Sequence, residues 1–141
     1  MAPDFREADK DNELYNGDCV EMYLSPRVGS MDRVHAVVAP GMDPKHPDLR
    51  LWVNDLRQKK GLKRVELTVE AARTKLDGGY LLEARLPWAP LGIEPKAGVE
   101  PAFQLYVTRK QVDGKLSHAI WYPRSGAAFD PHCYHRLRLA E

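Results

Sequence analysis

Three acidic side chains on or beside polar strand faces raise the question of glycoside hydrolysis. They are Asp18, Glu21 and Glu83. Hydrolysis of a glycosidic bond uses two carboxyl groups at a fixed separation, one of them acting as an acid. Carboxylates on polar strand faces are usually solvated or salt-bridged, so we expect no catalytic pair here. The sequence also has no Gly-x-Ser-x-Gly elbow and no glycine-rich phosphate loop after a strand. We therefore expect that the chain is not an enzyme.

Two segments contain residue types that bind metals. The first is residues 132–135, His-Cys-Tyr-His, but a closed zinc site usually needs four ligands in paired spacings. We expect its two histidines to point to different sides, without a metal. The second is the acidic opening of the chain, where Asp9, Asp11 and Asp18 offer the hard oxygen ligands of calcium. They lack the spacing of an EF-hand, so we expect no resident cofactor, although the sequence leaves calcium open at these residues.

Sulfur-containing residues permit two further features. A haem site needs an axial ligand in an apolar pocket, and Met22, Met31 and Met42 are of a suitable type. Met22, however, fits an apolar strand face. Cys19 and Cys133 permit one disulfide but do not require it.

Two aromatic residues stand apart because they lie in polar, turn-rich segments. Tyr15 precedes Asn-Gly-Asp, and Phe129 precedes Asp-Pro. An aromatic ring on a loop either plugs the end of a fold or forms an exposed platform. A platform suits sugars, because the C–H face of a pyranose stacks on the ring while neighbouring polar groups bind its hydroxyls. The residues alone leave both alternatives open.

The elements that would position these side chains are short and numerous. Apolar runs are separated by turns that use most of the 11 prolines and 10 glycines, which is typical of strands. Several runs alternate apolar and polar residues, as half-buried strands do. The runs are Cys19–Ser25, Val34–Ala39, Leu49–Val53, Arg64–Ala72, Tyr80–Leu86, Phe103–Val107, Ala119–Tyr122 and His135–Leu139. They predict an all-β fold, an antiparallel two-sheet β-sandwich of the immunoglobulin-like or jelly-roll type with about nine strands.

The length of 141 residues predicts one domain, residues 1–141. Residues 1–16 are acidic and predict an extended segment. Residues 77–79 and 113–114 carry the Asp-Gly signal of tight turns. One short helical turn is expected near residues 88–91.

Charge and hydropathy narrow the range of partners. The net charge is +1, whereas nucleic-acid binding and anionic membranes both call for a basic excess on one face. No apolar run approaches the roughly 20 residues that span a bilayer. The chain opens without the apolar region of a signal peptide, so we expect either a cytosolic protein or a piece of a larger exported one.

Three stretches of the chain, in this order, resemble family 9 carbohydrate-binding modules. Residues 16–24, NGDCVEMYL, resemble the family's strand D-x-V-E-[IVM]-[FY]. Residues 78–88, GGYLLEARLPW, resemble its strand and turn G-Y-x-x-E-x-x-[IL]-P-W. The tail, from Phe103 through Trp121 and Phe129-Asp130-Pro131 to Leu139, is similar to its closing strands. The strands that open the family's sandwich have no counterpart in this chain.

The resemblance implies a non-catalytic β-sandwich that binds the ends of glucan or xylan chains. Two aromatic rings clamp the sugar in such modules, and their places hold Tyr15 and Phe129. The motif glutamate, Glu21, would accept hydroxyl hydrogen bonds, and Tyr106 occupies the place of a sugar-binding amide. The resemblance also implies an extracellular or periplasmic location within a larger exported protein.

The sequence departs from the family at several of these places. The family's sugar binders have tryptophan where this chain has Tyr15 and Phe129, and an arginine where it has Val37. His35 or Arg33 are the candidates to replace that arginine. Two alternatives follow: a structural or interaction domain that packs against a neighbouring domain or a second copy, in which the two rings are buried plugs, or a haem-binding sandwich.

Overall fold

The computed structural model describes residues 4–57 and 67–140. Within these residues the chain forms eight strands and three short 3₁₀ helices. The strands are β1 (Cys19–Ser25), β2 (Val34–Ala39), β3 (Arg50–Asp55), β4 (Glu70–Leu76), β5 (Gly79–Arg85), β6 (Ala102–Lys110), β7 (Leu116–Ile120) and β8 (His135–Arg136). The 3₁₀ helices are Asp11–Asn16, Ala89–Leu91 and Pro131–Cys133. The predicted all-β class and the helical turn near residues 88–91 are confirmed.

The larger sheet has the strand order β3-β2-β1-β6-β7, and β8 pairs with β6 as well. All its pairs are antiparallel. Glu21 lies opposite Val37 on β2 and opposite Tyr106 on β6. Since successive side chains of a strand alternate between faces, residues paired in this way share one face of the sheet.

The smaller sheet is the hairpin β4-β5, and one core lies between it and the larger sheet. The even-numbered residues of β1, from Val20 to Leu24, face this core together with alternate residues of β2. Leu82 and Tyr80 of β5 pack against the same core, although both stay partly exposed. An apolar cleft of about 790 Å³ remains between the sheets.

The outer face of the larger sheet is covered as well, so that every residue of β1 is buried. Leu14 packs on one part of it, against Cys19 and Val37. The loop of residues 125–134 covers another part, where Tyr134 packs against Tyr23. The covering segments therefore come from both ends of the chain.

The opening segment differs from its prediction as a purely extended loop. Residues 11–16 form a 3₁₀ helix, because Leu14 is an apolar anchor that is fully buried in the face of the sheet. Gly17 then passes so close to residues 7 and 8 that an added Cβ would collide with the backbone nitrogen of Ala8. The glycine is required by this close approach of two backbone segments.

The fourth strand is displaced from the predicted run Arg64–Ala72, of which residues 64–66 lie outside the described residues. The strand begins at Glu70 and ends at Leu76, which pairs with Gly79 across a two-residue turn. The predicted Asp-Gly turn is confirmed. The turn determines how β4 and β5 are paired more strongly than the apolar-polar alternation of residues 64–72 does. Val69 still packs into the core from just outside the strand.

Candidate functional site

A cavity of about 520 Å³ opens on the outer face of the larger sheet. Its size lies within the range of pockets that bind small ligands. Its lining combines side chains of β1, β2, β3, β6 and β7 with the 3₁₀ helix at residues 11–16 and the loop at residues 125–129. The residues are Tyr15, Glu21, Tyr23, His35, Trp52, Asn54, Leu56, Tyr106, Leu116, His118, Ile120, Ser125, Gly126, Ala127, Ala128 and Phe129.

A buried carboxylate, Glu21, lies at the base of this outer-face cavity, 5% exposed. Its Oε2 accepts hydrogen bonds from the hydroxyl of Tyr23 at 2.9 Å and from Nε2 of His35 at 3.0 Å. Its Oε1 accepts one from Oγ1 of Thr108 at 3.0 Å. Each carboxylate oxygen has two acceptor positions, and within residues 4–57 and 67–140 only Thr108 donates to Oε1, which leaves its second position for a further donor.

These three donors keep Glu21 ionised. Burial alone raises the pKa of the Glu21 carboxyl, but the hydrogen bonds from His35, Tyr23 and Thr108 favour the charged form, and the net pKa shift is downwards. Burial and the nearby charge of Glu21 raise the pKa of the Tyr23 hydroxyl, which therefore remains a proton donor. The site thus holds a negative charge with a fixed orientation.

A continuous series of rings forms one wall of the cavity. His35 stacks on Tyr23 with ring centres 4.1 Å apart. Trp52 and His35 make an edge contact with ring centres 5.8 Å apart, and Tyr15 packs against Trp52 at 5.6 Å with its ring tilted by 49°. Tyr15 is 37% exposed, so its ring packs on the wall and also presents a face to solvent.

Opposing contacts hold the loop at residues 125–129. The backbone N–H of Ala127 donates a hydrogen bond to the hydroxyl of Tyr106 at 3.1 Å. The carbonyl of Ala127 accepts one from the hydroxyl of Tyr134, also at 3.1 Å. The guanidinium of Arg33 donates to the carbonyl of Ala128 at 3.0 Å. The ring of Phe129 is 89% exposed although the adjoining backbone is anchored. The loop backbone is therefore held in a defined place, and it presents the apolar ring of Phe129 to solvent.

Five of the six residues predicted as ligand-binding lie together in the lining. They are Tyr15, Glu21, His35, Tyr106 and Phe129. The sixth, Arg33, is buried and supports the loop. Phe129 is therefore not a buried plug, whereas Tyr15 is partly a packing residue and partly exposed.

Sequence reasoning missed four side chains that bring a ring to the cavity or donate a hydrogen bond to Glu21. They are Tyr23, Trp52, Thr108 and His118. Strand alternation offered a signal, because side chains two residues apart on a strand lie on the same face. Tyr23 therefore shares a face with Glu21, and Thr108 shares a face with Tyr106. The pairing of β1 with β6, which joins these positions across more than eighty residues of chain, could not be found from one sequence.

The calcium candidates serve other purposes. Asp18 accepts backbone hydrogen bonds from Arg6 and Lys110, while Asp9 pairs with His46 and Asp11 with Arg50. In residues 4–57 and 67–140, no group of three or more His, Cys, Asp or Glu side chains is arranged to hold a metal ion. The structure therefore does not bring Asp9, Asp11 and Asp18 together into the calcium site that the sequence left open.

The remaining residues considered for chemistry are dispersed. Cys19 and Cys133 are both free, buried thiols, and Cys133 donates to the carbonyl of Ser125. His135 stacks on Tyr122 outside the cavity. Met22, a candidate haem ligand, lies in the core between the sheets. No described helix is long and apolar enough to span a membrane.

The lowered pKa of Glu21 predicts a defined effect of acid on stability. Because its pKa in the folded state lies below the ordinary value of 4.5, ionised Glu21 stabilises the fold above that pH. This contribution disappears as the pH falls through the folded-state pKa. We expect Glu21→Gln to be less stable than the wild type at pH 7, and the difference to narrow in acid. Urea unfolding between pH 3 and 7 measures it, and a constant difference would contradict the ionised network.

Comparison with solved structures identifies the fold. Over 98% of its length the chain matches a family 9 carbohydrate-binding module of Caldicellulosiruptor kristjanssonii in complex with cellotriose, at a TM-score of 0.68 and 18% identity. The chain shares the fold of family 9 carbohydrate-binding modules. A structure of a family 9 module from the same organism in complex with glucose matches 97% of the chain at a TM-score of 0.64 and 17% identity.

The resemblance to family 9 modules predicted from three short motifs is thus confirmed at the level of fold. The chain spans 64% and 65% of the two family 9 structures. A scan against protein-family models and a search of curated proteins each found no match.

Proposed function

We propose that the chain is a non-catalytic carbohydrate-binding module that takes a neutral oligo- or polysaccharide of the glucan or xylan type, at a chain end, in the outer-face cavity. The observation that carries the proposal is the exposed ring of Phe129 on the same cavity as the buried, ionised Glu21. Cellotriose and glucose are the ligands named for the two family 9 structures that share the fold.

The lining suits a sugar for two physical reasons. Pyranose C–H faces stack favourably on aromatic rings, and the Tyr15–Trp52 pair and Phe129 provide rings at two parts of the cavity. Sugar hydroxyls need acceptors, and Glu21 retains one acceptor position on Oε1. A charge-assisted hydrogen bond to a carboxylate is stronger than a bond between neutral groups.

The anchored loop strengthens this proposal. Contacts from Arg33, Tyr106 and Tyr134 fix residues 127 and 128 before any ligand arrives. Pre-organisation lowers the entropy lost on binding, so the backbone that carries Phe129 loses little additional freedom. Binding without chemistry fits the same site, because Glu83 lies on the other sheet and Asp18 is engaged by two backbone N–H groups.

The alternative function as an interaction domain has a different surface to support it. The apolar cleft between the sheets is lined by core residues of both sheets, including Leu82 and Phe103. A neighbouring domain or a second copy that covers this cleft is compatible with sugar binding on the opposite face. Light scattering of the purified chain tests whether a second copy associates with it.

We propose an extracellular or periplasmic setting in a larger exported protein.

Calorimetry with an oligosaccharide panel tests the sugar proposal. We expect glucose, cello- and xylo-oligosaccharides to bind at millimolar concentration or better, and Tyr15→Ala to weaken binding about tenfold, by roughly 1.4 kcal/mol. For a chain-end site, affinity should change little beyond the trisaccharide and fall when the terminal ring is reduced to an open alditol.

Matched controls make the calorimetry decisive. Leu81→Ala replaces an exposed apolar residue on the other sheet and should leave affinity unchanged. Silence across glucans, xylans and mannans, with Tyr15→Ala only less stable, would reject the carbohydrate function.

A further inference from the structure

A hydrogen-bond relay connects the carboxylate at the base of the cavity to a histidine on its rim. Thr108 donates its hydroxyl proton to Oε1 of Glu21 at 3.0 Å. Oγ1 of the same threonine lies 2.9 Å from Nδ1 of His118. His118 is exposed on β7 and lines the cavity, with its ring 5.8 Å from that of Tyr106.

The relay fixes which nitrogen of His118 carries the proton. A threonine hydroxyl has one proton, and here Glu21 accepts it. Oγ1 can then only accept from His118, so Nδ1 must be the protonated nitrogen. In the neutral ring the other nitrogen, Nε2, is therefore a hydrogen-bond acceptor. Nε2 lies on the ring edge away from Thr108, and no described residue donates to it.

From this geometry we infer that His118 is a ligand-binding residue whose Nε2 accepts a hydrogen bond from a ligand hydroxyl. The inference rests on the proposed sugar-binding function and adds to it a specificity. With Nε2 of His118 and the free position on Oε1 of Glu21, the cavity offers two fixed acceptors. It therefore selects ligands that present two hydroxyl donors beside an apolar face, as neutral sugars do.

The tautomer is tested first, without any ligand. We expect ¹⁵N NMR of the whole chain above neutral pH to show His118 protonated at Nδ1. In Thr108→Val the relay is cut, and the ring should return towards protonation at Nε2. Protonation of His118 at Nε2 in the wild-type chain would overturn the inference whatever the chain binds.

Binding of cellotriose to three replacements tests the contact itself. His118→Phe keeps a ring without nitrogen, His118→Asn keeps a group only at the place of Nδ1, and His118→Gln restores an amide near Nε2. We expect the Phe and Asn variants to lose about tenfold in affinity and the Gln variant less than about threefold. His135→Gln is the control, because His135 is an exposed histidine that stacks on Tyr122 and does not line the cavity.

The outcomes separate this inference from the proposed function. Wild-type binding that His118→Asn leaves unchanged overturns only the role of His118. Affinity that His118→Phe keeps and that the Asn and Gln variants lose assigns the effect to ring packing and also overturns it. No binding of cellotriose or xylotriose by the wild type rejects both proposals, even where the tautomer is as expected.

Discussion

Phe129→Ala should abolish most of the sugar affinity and leave the stability of the fold unchanged. The ring is 89% exposed, so its removal leaves no cavity in the core and should change the free energy of unfolding by less than about 0.5 kcal/mol. Central aromatic contacts in binding sites typically contribute about 2 kcal/mol, which corresponds to roughly a thirtyfold loss of affinity. Calorimetry with cellotriose and urea unfolding measure the two quantities.

Trp121→Ala is the matched control for Phe129. Trp121 is an exposed aromatic residue at the end of β7 that packs on Phe103 and does not line the outer-face cavity. Its removal should leave cellotriose affinity unchanged. An effect of Phe129→Ala on stability with no effect on affinity would show that the ring packs against the protein and not against a ligand.

Glu21→Ala should be the most destabilising single replacement on the outer face. It leaves the donors of Tyr23, His35 and Thr108 without their shared acceptor in a buried place. Each unsatisfied buried donor costs about 1–3 kcal/mol, and partial rearrangement makes a total of about 3–5 kcal/mol reasonable. We expect a lower urea midpoint with a similar slope.

Glu83→Ala provides the control for a strand glutamate, because Glu83 is exposed on the smaller sheet. Its removal should change the unfolding free energy by less than about 0.5 kcal/mol. If Glu21→Ala were as mild as Glu83→Ala, the three hydrogen bonds to Glu21 would not be contributing to the stability of the folded state.

The strands and turns of this chain could largely be predicted because they depend on local patterns. Alternation located β1, and an apolar run closed by Pro-Gly located β2, at their observed limits. The Asp-Gly turn located the hairpin β4-β5, although alternation alone placed β4 several residues too early. The 3₁₀ helix at residues 11–16 was missed because Leu14 forms it through tertiary burial, which overrides a weak local preference.

The site could be predicted only where a single residue carried an unusual signal. Tyr15 and Phe129 were conspicuous as aromatic residues in polar loops, and Glu21 as part of a motif. Trp52 and His118 were not, because an aromatic or polar residue on a strand has no distinguishing feature until the pairing of strands is known. The same limitation concealed the support that Arg33 gives to a loop ninety-five residues away.

Carbohydrate binding at the outer-face cavity is tested most directly by titrating the ¹⁵N-labelled chain with cellotriose. We predict saturable shifts of the Trp52 indole signal and of the backbone amides of Ala127, Ala128 and Phe129, with the amides of β4 and β5 unaffected. Shifts confined to β4 and β5 would place the ligand in the cleft between the sheets instead. The absence of shifts at millimolar cellotriose and xylotriose would contradict the proposed function.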